Sequence, residues 1–335
     1  MVYLADEHRY DNMKYNRCGD SGLKLPVLSL GFWHNFGSVD KYENMKEMCH
    51  TAFDLGITHF DLANNYGPEP GSAETNLGHI LKEDFTPYRD ELIISTKAGY
   101  GMWGGPYGDG GSRKYLLASL DQSLMRLGLD YVDIFYHHRM DPDTPLEETM
   151  GALATAVTSG KALYVGLSNY DTENLDKAEA ILRDLKVPFI INQNKYNILD
   201  RTIEDNGIKE ESYKLGKGII AFSPLEQGLL TDKYINGIPE DSRVRRSGIF
   251  LKESDITSDV VDRIKALNAI ASYRGQSLAE MALSWILKDD RLTSVLIGAS
   301  RPEHIAQNAK IVGKLQFTPD ELAAIDVISL GKNKS

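Results

Sequence analysis

Short, almost continuously apolar runs alternate with amphipathic stretches along the whole of this chain. The runs are Val27–Leu30, His59–Asp61, Leu92–Lys97, Val132–Tyr136, Leu163–Ser168, Phe189–Gln193, Ile219–Phe222 and Ser294–Gly298. Each is too short and too evenly apolar for an amphipathic helix. Unbroken apolar character is what a parallel strand covered on both faces requires. Helix signals fall between the runs. Met45, Met48, Ala52 and Phe53 make one stripe before Gly56, and Leu116, Leu120, Leu124 and Leu127 make another between Ser112 and Gly128. Thr144-Pro145-Leu146-Glu147 reads as a capping box with proline at the first helical position, and Gly160 closes that helix. Ser277-x-x-Glu280, Ser300-x-x-Glu303 and Thr318-x-x-Glu321 open three later helices.

Eight strand–helix repeats predict an α/β fold, a closed (β/α)8 TIM barrel, with a doubly wound sheet as the structural alternative. Two segments fall outside the alternation. Lys14–Leu25, with Gly19-Asp20-Ser21-Gly22 at its centre, predicts an N-terminal hairpin placed to plug the barrel floor. Glu226–Ser258 predicts a long loop after the seventh strand, of the kind that carries function. With no break in composition, residues 1–335 read as a single domain.

Composition narrows the function classes. The 335 residues are 42% hydrophobic and 25% charged, which suits a globular protein with a large core. A net charge of −11 disfavours nucleic acid and acidic membrane surfaces as partners, and makes any anionic cofactor dependent on a local basic patch. Cys18 and Cys49 are too few for a disulfide framework or a zinc site. Met1–Asn16 has no signal-peptide pattern, and no apolar run approaches the roughly 20 residues that span a membrane. The expectation is a cytoplasmic protein.

Three consecutive strands end in reactive side chains. His59-Phe60-Asp61 runs into a loop carrying Tyr66, the third strand ends on Lys97, and the fourth on His137-His138. Neighbouring strands lie about 4.8 Å apart, so an acid, a phenol, an amine and an imidazole at one end can share a pocket. A phenol holds its proton near neutrality, and a nearby ammonium eases its release. Lys97 can do this, Asp61 can hold Lys97 as its counter-ion, and a histidine can orient a carbonyl oxygen. His137 and His138 are adjacent, so only one of them faces the pocket.

These motifs resemble the aldo-keto reductase superfamily. Gly56-Ile57-Thr58-His59-Phe60-Asp61-Leu62-Ala63-Asn64-Asn65-Tyr66-Gly67, followed by Glu74-x-x-x-Gly78, is similar to its signature. Ile94-Ser95-Thr96-Lys97 and Tyr131 to Arg139 are similar to its next two blocks. The resemblance covers about Lys14 to Ile328 and is strongest toward the bacterial L-glyceraldehyde 3-phosphate reductases. It rests there on Gly31 to Gly37, Asn64 to Pro68, Gly71 to Glu74 and Gly104 to Gly108. It implies that Asp61, Tyr66, Lys97 and His138 form a catalytic tetrad for metal-free reduction of small aldehydes, L-glyceraldehyde 3-phosphate and methylglyoxal among them. Trp33, Tyr66, Trp103 and His138 would line the substrate, and relatives often assemble into homo-oligomers, tetramers or larger. Nothing in the sequence positions Arg139 or His34 on a substrate phosphate.

The resemblance also implies a cofactor site. Ser168, Asn169 and Gln193 would hold the nicotinamide amide, for which their donors and acceptors suit. Phe222 would stack on the ring, though it also reads as a plain core aromatic, and Trp33 would border the cofactor. Ser223, Pro224 and Leu225 with Gln227 and Gly228 resemble the loop under the pyrophosphate, closed by Lys233 and Arg243. Gly298-Ala299-Ser300-Arg301 begins a helix whose N–H groups attract phosphate, and Arg301 suits a 2′-phosphate, although it also reads as a surface charge. His304, Gln307 and Asn308 complete that set. The cofactor implied is NADPH (NADP+). Two alternatives remain open at this stage. The β subunits of voltage-gated potassium channels share much of the pattern but carry Asn where this chain has His138. A metal-dependent barrel hydrolase using His137 or His138 would need a second ligand cluster, which the sequence lacks.

Overall fold

The computed structural model describes residues 3–235, 237–238 and 252–330. Strands β1 (Tyr15–Arg17) and β2 (Lys24–Pro26) pair antiparallel. Then come β3 (Leu28–Gly31), β4 (His59–Asp61), β5 (Ile93–Ala98), β6 (Val132–His137), β7 (Ala162–Ser168), β8 (Phe189–Lys195), β9 (Gly218–Phe222) and β10 (Ser294–Ile297). These eight are parallel and close into a barrel, each beside its sequence neighbour and β10 beside β3. The fold is a (β/α)8 barrel, and each of the eight apolar runs overlaps one barrel strand.

The hairpin does close the floor. Cys18 and Leu25 pack with Ile134, Tyr136, Ile190, Ile191, Ile220 and Leu296 of the strands. The Asp20 N–H donates to Gly216 O at 2.9 Å and Asn16 Nδ2 to Thr293 O at 3.1 Å, just ahead of β9 and β10. With that end sealed, the strands' C-terminal ends are left to form a mouth.

The helices bury the stripes read from the sequence. Tyr42–Asp54 buries Met45, Met48, Ala52 and Phe53, and Arg113–Leu127 buries Leu116, Leu120, Leu124 and Leu127. Ser112 accepts from the Tyr115 N–H, and Gly128 at φ 67° ends that helix in the left-handed conformation open to glycine. Ser277 and Glu280 form the expected reciprocal capping box, as do Thr318 and Glu321. Two start signals are corrected. Thr144 Oγ1 donates to Asp141 Oδ2 at 2.7 Å instead of capping, and Pro145 sits at the cap position of helix Leu146–Thr158. The helix expected from Ser300 is Pro302–Ala309, with Arg301 at its cap position and no side-chain cap.

One glycine shapes the interior beside the mouth. Gly166 pairs with Tyr136 across β7 and β6, and a Cβ there would lie 2.2 Å from the Tyr136 ring. Gly166→Ala is expected to destabilise the fold by about 1–3 kcal/mol, because a closed barrel gives a buried ring nowhere to retreat. An unchanged urea midpoint would contradict that packing. Among the described residues, no helix is long and apolar enough to cross a membrane.

Candidate active site

Strand periodicity sends His59 and Asp61 of β4, and Ser95 and Lys97 of β5, toward the barrel interior. Asp61 and Lys97 meet near the upper ends of their strands. Lys97 Nζ donates to Asp61 Oδ2 at 2.5 Å and to Leu62 O at 2.6 Å. Both side chains are buried, Lys97 completely. Burial pulls the Lys97 ammonium below its ordinary range, and the Asp61 charge opposes that pull. The other Asp61 oxygen accepts from Ser95 Oγ at 2.6 Å and from Gln193 Nε2 at 3.3 Å.

The turn after β4 brings Tyr66 over this pair, with Lys97 Nζ 5.0 Å from the ring centroid. Burial, then the Asp61 charge, then Tyr100 push the Tyr66 phenol well above its ordinary value. The phenol therefore rests fully protonated. Lys97 beneath the ring is held at the same time by Asp61 and Leu62 O. His138 follows β6 directly. Its ring lies 5.8 Å from that of Tyr66 and 4.7 Å from that of Tyr100, edge-on to both. Burial, aided by Lys97, His137 and Arg139, drives its pKa well below 6.5, so the imidazole is neutral. Its Nδ1 is buried without a protein partner. His137 turns elsewhere, with Nδ1 2.6 Å from Tyr170 OH. The acid, amine, phenol and imidazole therefore surround one mouth, as their sequence positions suggest.

Around the mouth, Trp33 is half-buried after β3 with its ring 4.2 Å from that of His34. Trp103 packs 5.2 Å from Tyr115 and against the core. Arg139 Nε donates to Gly99 O at 2.8 Å and its guanidinium lies 4.5 Å over the Tyr100 ring.

The residues expected at the cofactor fall in two groups. Ser168 ends β7, and Asn169 follows at φ 57° with its Nδ2 donating to His138 O at 3.0 Å and Ser168 Oγ at 3.1 Å. Gln193 shares Asp61 with Lys97. Phe222 ends β9 half-buried, against the apolar half of the interior. The next loop is bent tightly: Ser223, Glu226 and Gln227 all have positive φ, at 52°, 43° and 57°. Asn197 Nδ2 ties it by donating to Ser223 O at 3.0 Å. Pro224 is buried within it, while Leu225 O accepts from Gly228 N at 2.9 Å and Leu230 N at 3.1 Å. Non-glycine residues held in this conformation concentrate at ligand clamps.

The second group lies after β10. Gly298, Ser300 and Arg301 are exposed at the start of helix Pro302–Ala309. Arg301 Nε donates to His304 Nε2 at 3.0 Å. Burial and the charges of Arg301 and Lys233 hold His304 below its ordinary pKa. Three basic side chains thus converge beside a helix start, in an otherwise acidic chain. Gln307 is exposed and Asn308 buried in the same helix, and Arg243 lies outside the described residues. Amide donors and acceptors by the acid–amine pair, a tight loop, and a basic cluster form a donor set that fits a nicotinamide dinucleotide.

Residues 27–329 match the Aldo/keto reductase family. The chain belongs to that family. It is 59% identical over 329 residues to L-glyceraldehyde 3-phosphate reductase of Escherichia coli (strain K12), covering 97% of this chain and 95% of that protein. A putative voltage-gated potassium channel subunit beta of Schizosaccharomyces pombe is 35% identical over 325 residues, 95% of this chain and 93% of that protein. A crystal structure of the thermostable aldo-keto reductase Tm1743 with the inhibitor epalrestat superposes with a TM-score of 0.75 at 30% identity. It covers 94% of this chain and all of that one. The chain is therefore an oxidoreductase of the aldo/keto reductase family.

Sequence reasoning missed Ser95, Tyr100 and His59. Ser95 and His59 each sit two residues before a member of the acid–amine pair, so strand alternation places them on the same inward face. Tyr100, in the loop after β5, carried no such signal.

Proposed function

We propose that this aldo/keto reductase reduces small aldehydes to alcohols with NADPH, phosphorylated short-chain aldehydes such as L-glyceraldehyde 3-phosphate and plain ones such as methylglyoxal included. The observation that carries the reading is the grouping of Tyr66, the buried Lys97–Asp61 pair and neutral His138 around one mouth. The substrate class draws additionally on the E. coli relative's name.

When bound, the nicotinamide supplies a hydride to the aldehyde carbon. The chain's own residues manage the proton. Tyr66, protonated at rest, gives its proton to the oxygen as negative charge develops there. The Lys97 ammonium beneath the ring then stabilises the phenolate, and Asp61 keeps Lys97 in place. Neutral His138 offers the oxygen an N–H, which orients the carbonyl without adding charge. Ser168, Asn169 and Gln193 would hold the carboxamide, with Phe222 against the ring. Ser223 to Gly228 would pass under the pyrophosphate, and Ser300, Arg301, His304 and Lys233 would meet the 2′-phosphate. Trp33 and Trp103 would wall the substrate.

The test is NADPH oxidation against a panel of phosphorylated and plain short-chain aldehydes, with turnover expected for several of them. No turnover with any would overturn the reading and favour a role like that of the channel subunit. Arg301→Ala is expected to weaken NADPH binding by about tenfold, the scale of one lost charge-assisted contact, and to leave NADH nearly unchanged. Cofactor fluorescence titration reads both constants, and equal weakening would contradict the 2′-phosphate role.

A further inference from the structure

Half of the barrel interior is polar, and its hydrogen bonds form one line. Ser294 Oγ of β10 lies 2.6 Å from Ser29 Oγ of β3, and Ser29 Oγ lies 2.9 Å from His59 Nδ1 of β4. His59 Nε2 lies 2.9 Å from Ser95 Oγ of β5, which donates to Asp61 Oδ1 at 2.6 Å. All five side chains are buried, as is Lys97 at the end of the line. Burial pushes the His59 imidazole down to about 4, outweighing the Asp61 charge, so it carries a single proton near neutrality.

Counting protons fixes the direction. A carboxylate only accepts, so the one hydroxyl proton of Ser95 goes to Asp61. Ser95 Oγ must then accept, which places the His59 proton on Nε2. His59 Nδ1 is left as an acceptor, so Ser29 donates to it and in turn accepts from Ser294. Every donor in the chain therefore points toward Asp61, and hydrogen bonds in such a row polarise one another.

We propose that His59 is a positioning residue which, through Ser95, orients Asp61 and spreads its negative charge, and so sets how firmly Lys97 holds its proton beneath Tyr66. This rests on the proton-donor reading of Tyr66. The titratable groups facing this interior are Asp61, Lys97, Tyr66 and Tyr136, with Cys18 on the hairpin below, Glu74 of helix Ser72–Ile80 beside Lys97, and His138 at the mouth. The sign follows from the direction of the chain. Losing the Ser95 donor concentrates charge on Asp61, which raises the proton affinity of Lys97 and of Tyr66 alike. Proton release to the substrate becomes harder, and the basic limb of the pH profile moves upward.

Two measurements test this. Nitrogen NMR of isotopically labelled histidine side chains in the intact protein should find His59 bare at Nδ1 and protonated at Nε2; the opposite tautomer would overturn the chain without reference to activity. Ser95→Ala removes a single oxygen, so the fold should survive. It should lower kcat by about tenfold and raise the basic limb by about one pH unit, the scale of one hydrogen bond to a charged group. KM and the NADPH Kd should stay near wild type. His59→Gln, whose amide can accept from Ser29 and donate to Ser95, should retain most of the wild-type profile. A Ser95→Ala enzyme with unchanged kcat and pH profile would overturn the proposal while Tyr66→Phe remained inactive. If Tyr66→Phe is fully active, the functional reading itself fails, and the role given to His59 with it.

Discussion

Tyr66→Phe is expected to lower kcat by about a thousandfold, within the range over which a positioned general acid contributes. NADPH affinity should change little, because the lost atom is a hydroxyl at the mouth and not part of the loop after β9 or the basic cluster after β10. The ring that remains still covers Lys97, whose ammonium lies 5.0 Å from its centroid, so the pocket keeps its shape. The loss should appear in turnover, with KM close to wild type. A variant that keeps wild-type kcat would remove Tyr66 from the chemistry.

Asp61→Asn should damage both stability and turnover. It leaves the fully buried Lys97 without its carboxylate, and removing one partner of a buried pair costs about 3–5 kcal/mol. Lys97 would shed its proton more readily, since burial already pulls its pKa down and Asp61 opposes that pull most strongly, ahead of Glu74. Turnover should drop by about a hundredfold or more as the ammonium beneath Tyr66 is lost. Adding Lys97→Met should restore much of the stability, because no buried charge is then left unpaired, while activity stays low. Urea unfolding and steady-state kinetics separate the two effects. If the single variant unfolds at the wild-type midpoint, the pair does not support the barrel as its burial indicates.

The barrel was legible because parallel strands covered on both faces need unbroken apolar runs, and each of the eight runs became a strand. The hairpin was legible from Gly19 to Gly22, and its place on the floor follows from Cys18 and Leu25. Helix starts were less so. Thr144 has the right spacing for a capping box, yet Asp141 three residues earlier competes for its hydroxyl. Ser300 fails as a cap because the proline at 302 starts the helix two residues later. Strand ends brought Asp61, Lys97 and one of His137 and His138 to one mouth, with Tyr66 in the adjoining loop, and the choice of His138 came with the family resemblance. The electrostatics were not legible in the sequence. Burial dominates the shifts of Tyr66, Lys97 and His138, and burial depends on how the closed barrel packs. Ser95 and His59 escaped notice because serine and histidine inside an apolar run read as packing until their partners are seen.

The most direct test of Tyr66 as proton donor is the solvent deuterium isotope effect on reduction of a short aldehyde, followed in a single turnover so that product release does not mask the step. Wild type should show a normal effect clearly above unity, and Tyr66→Phe a slow residual reaction that has lost it. The same isotope effect in both proteins would mean that the proton comes from elsewhere.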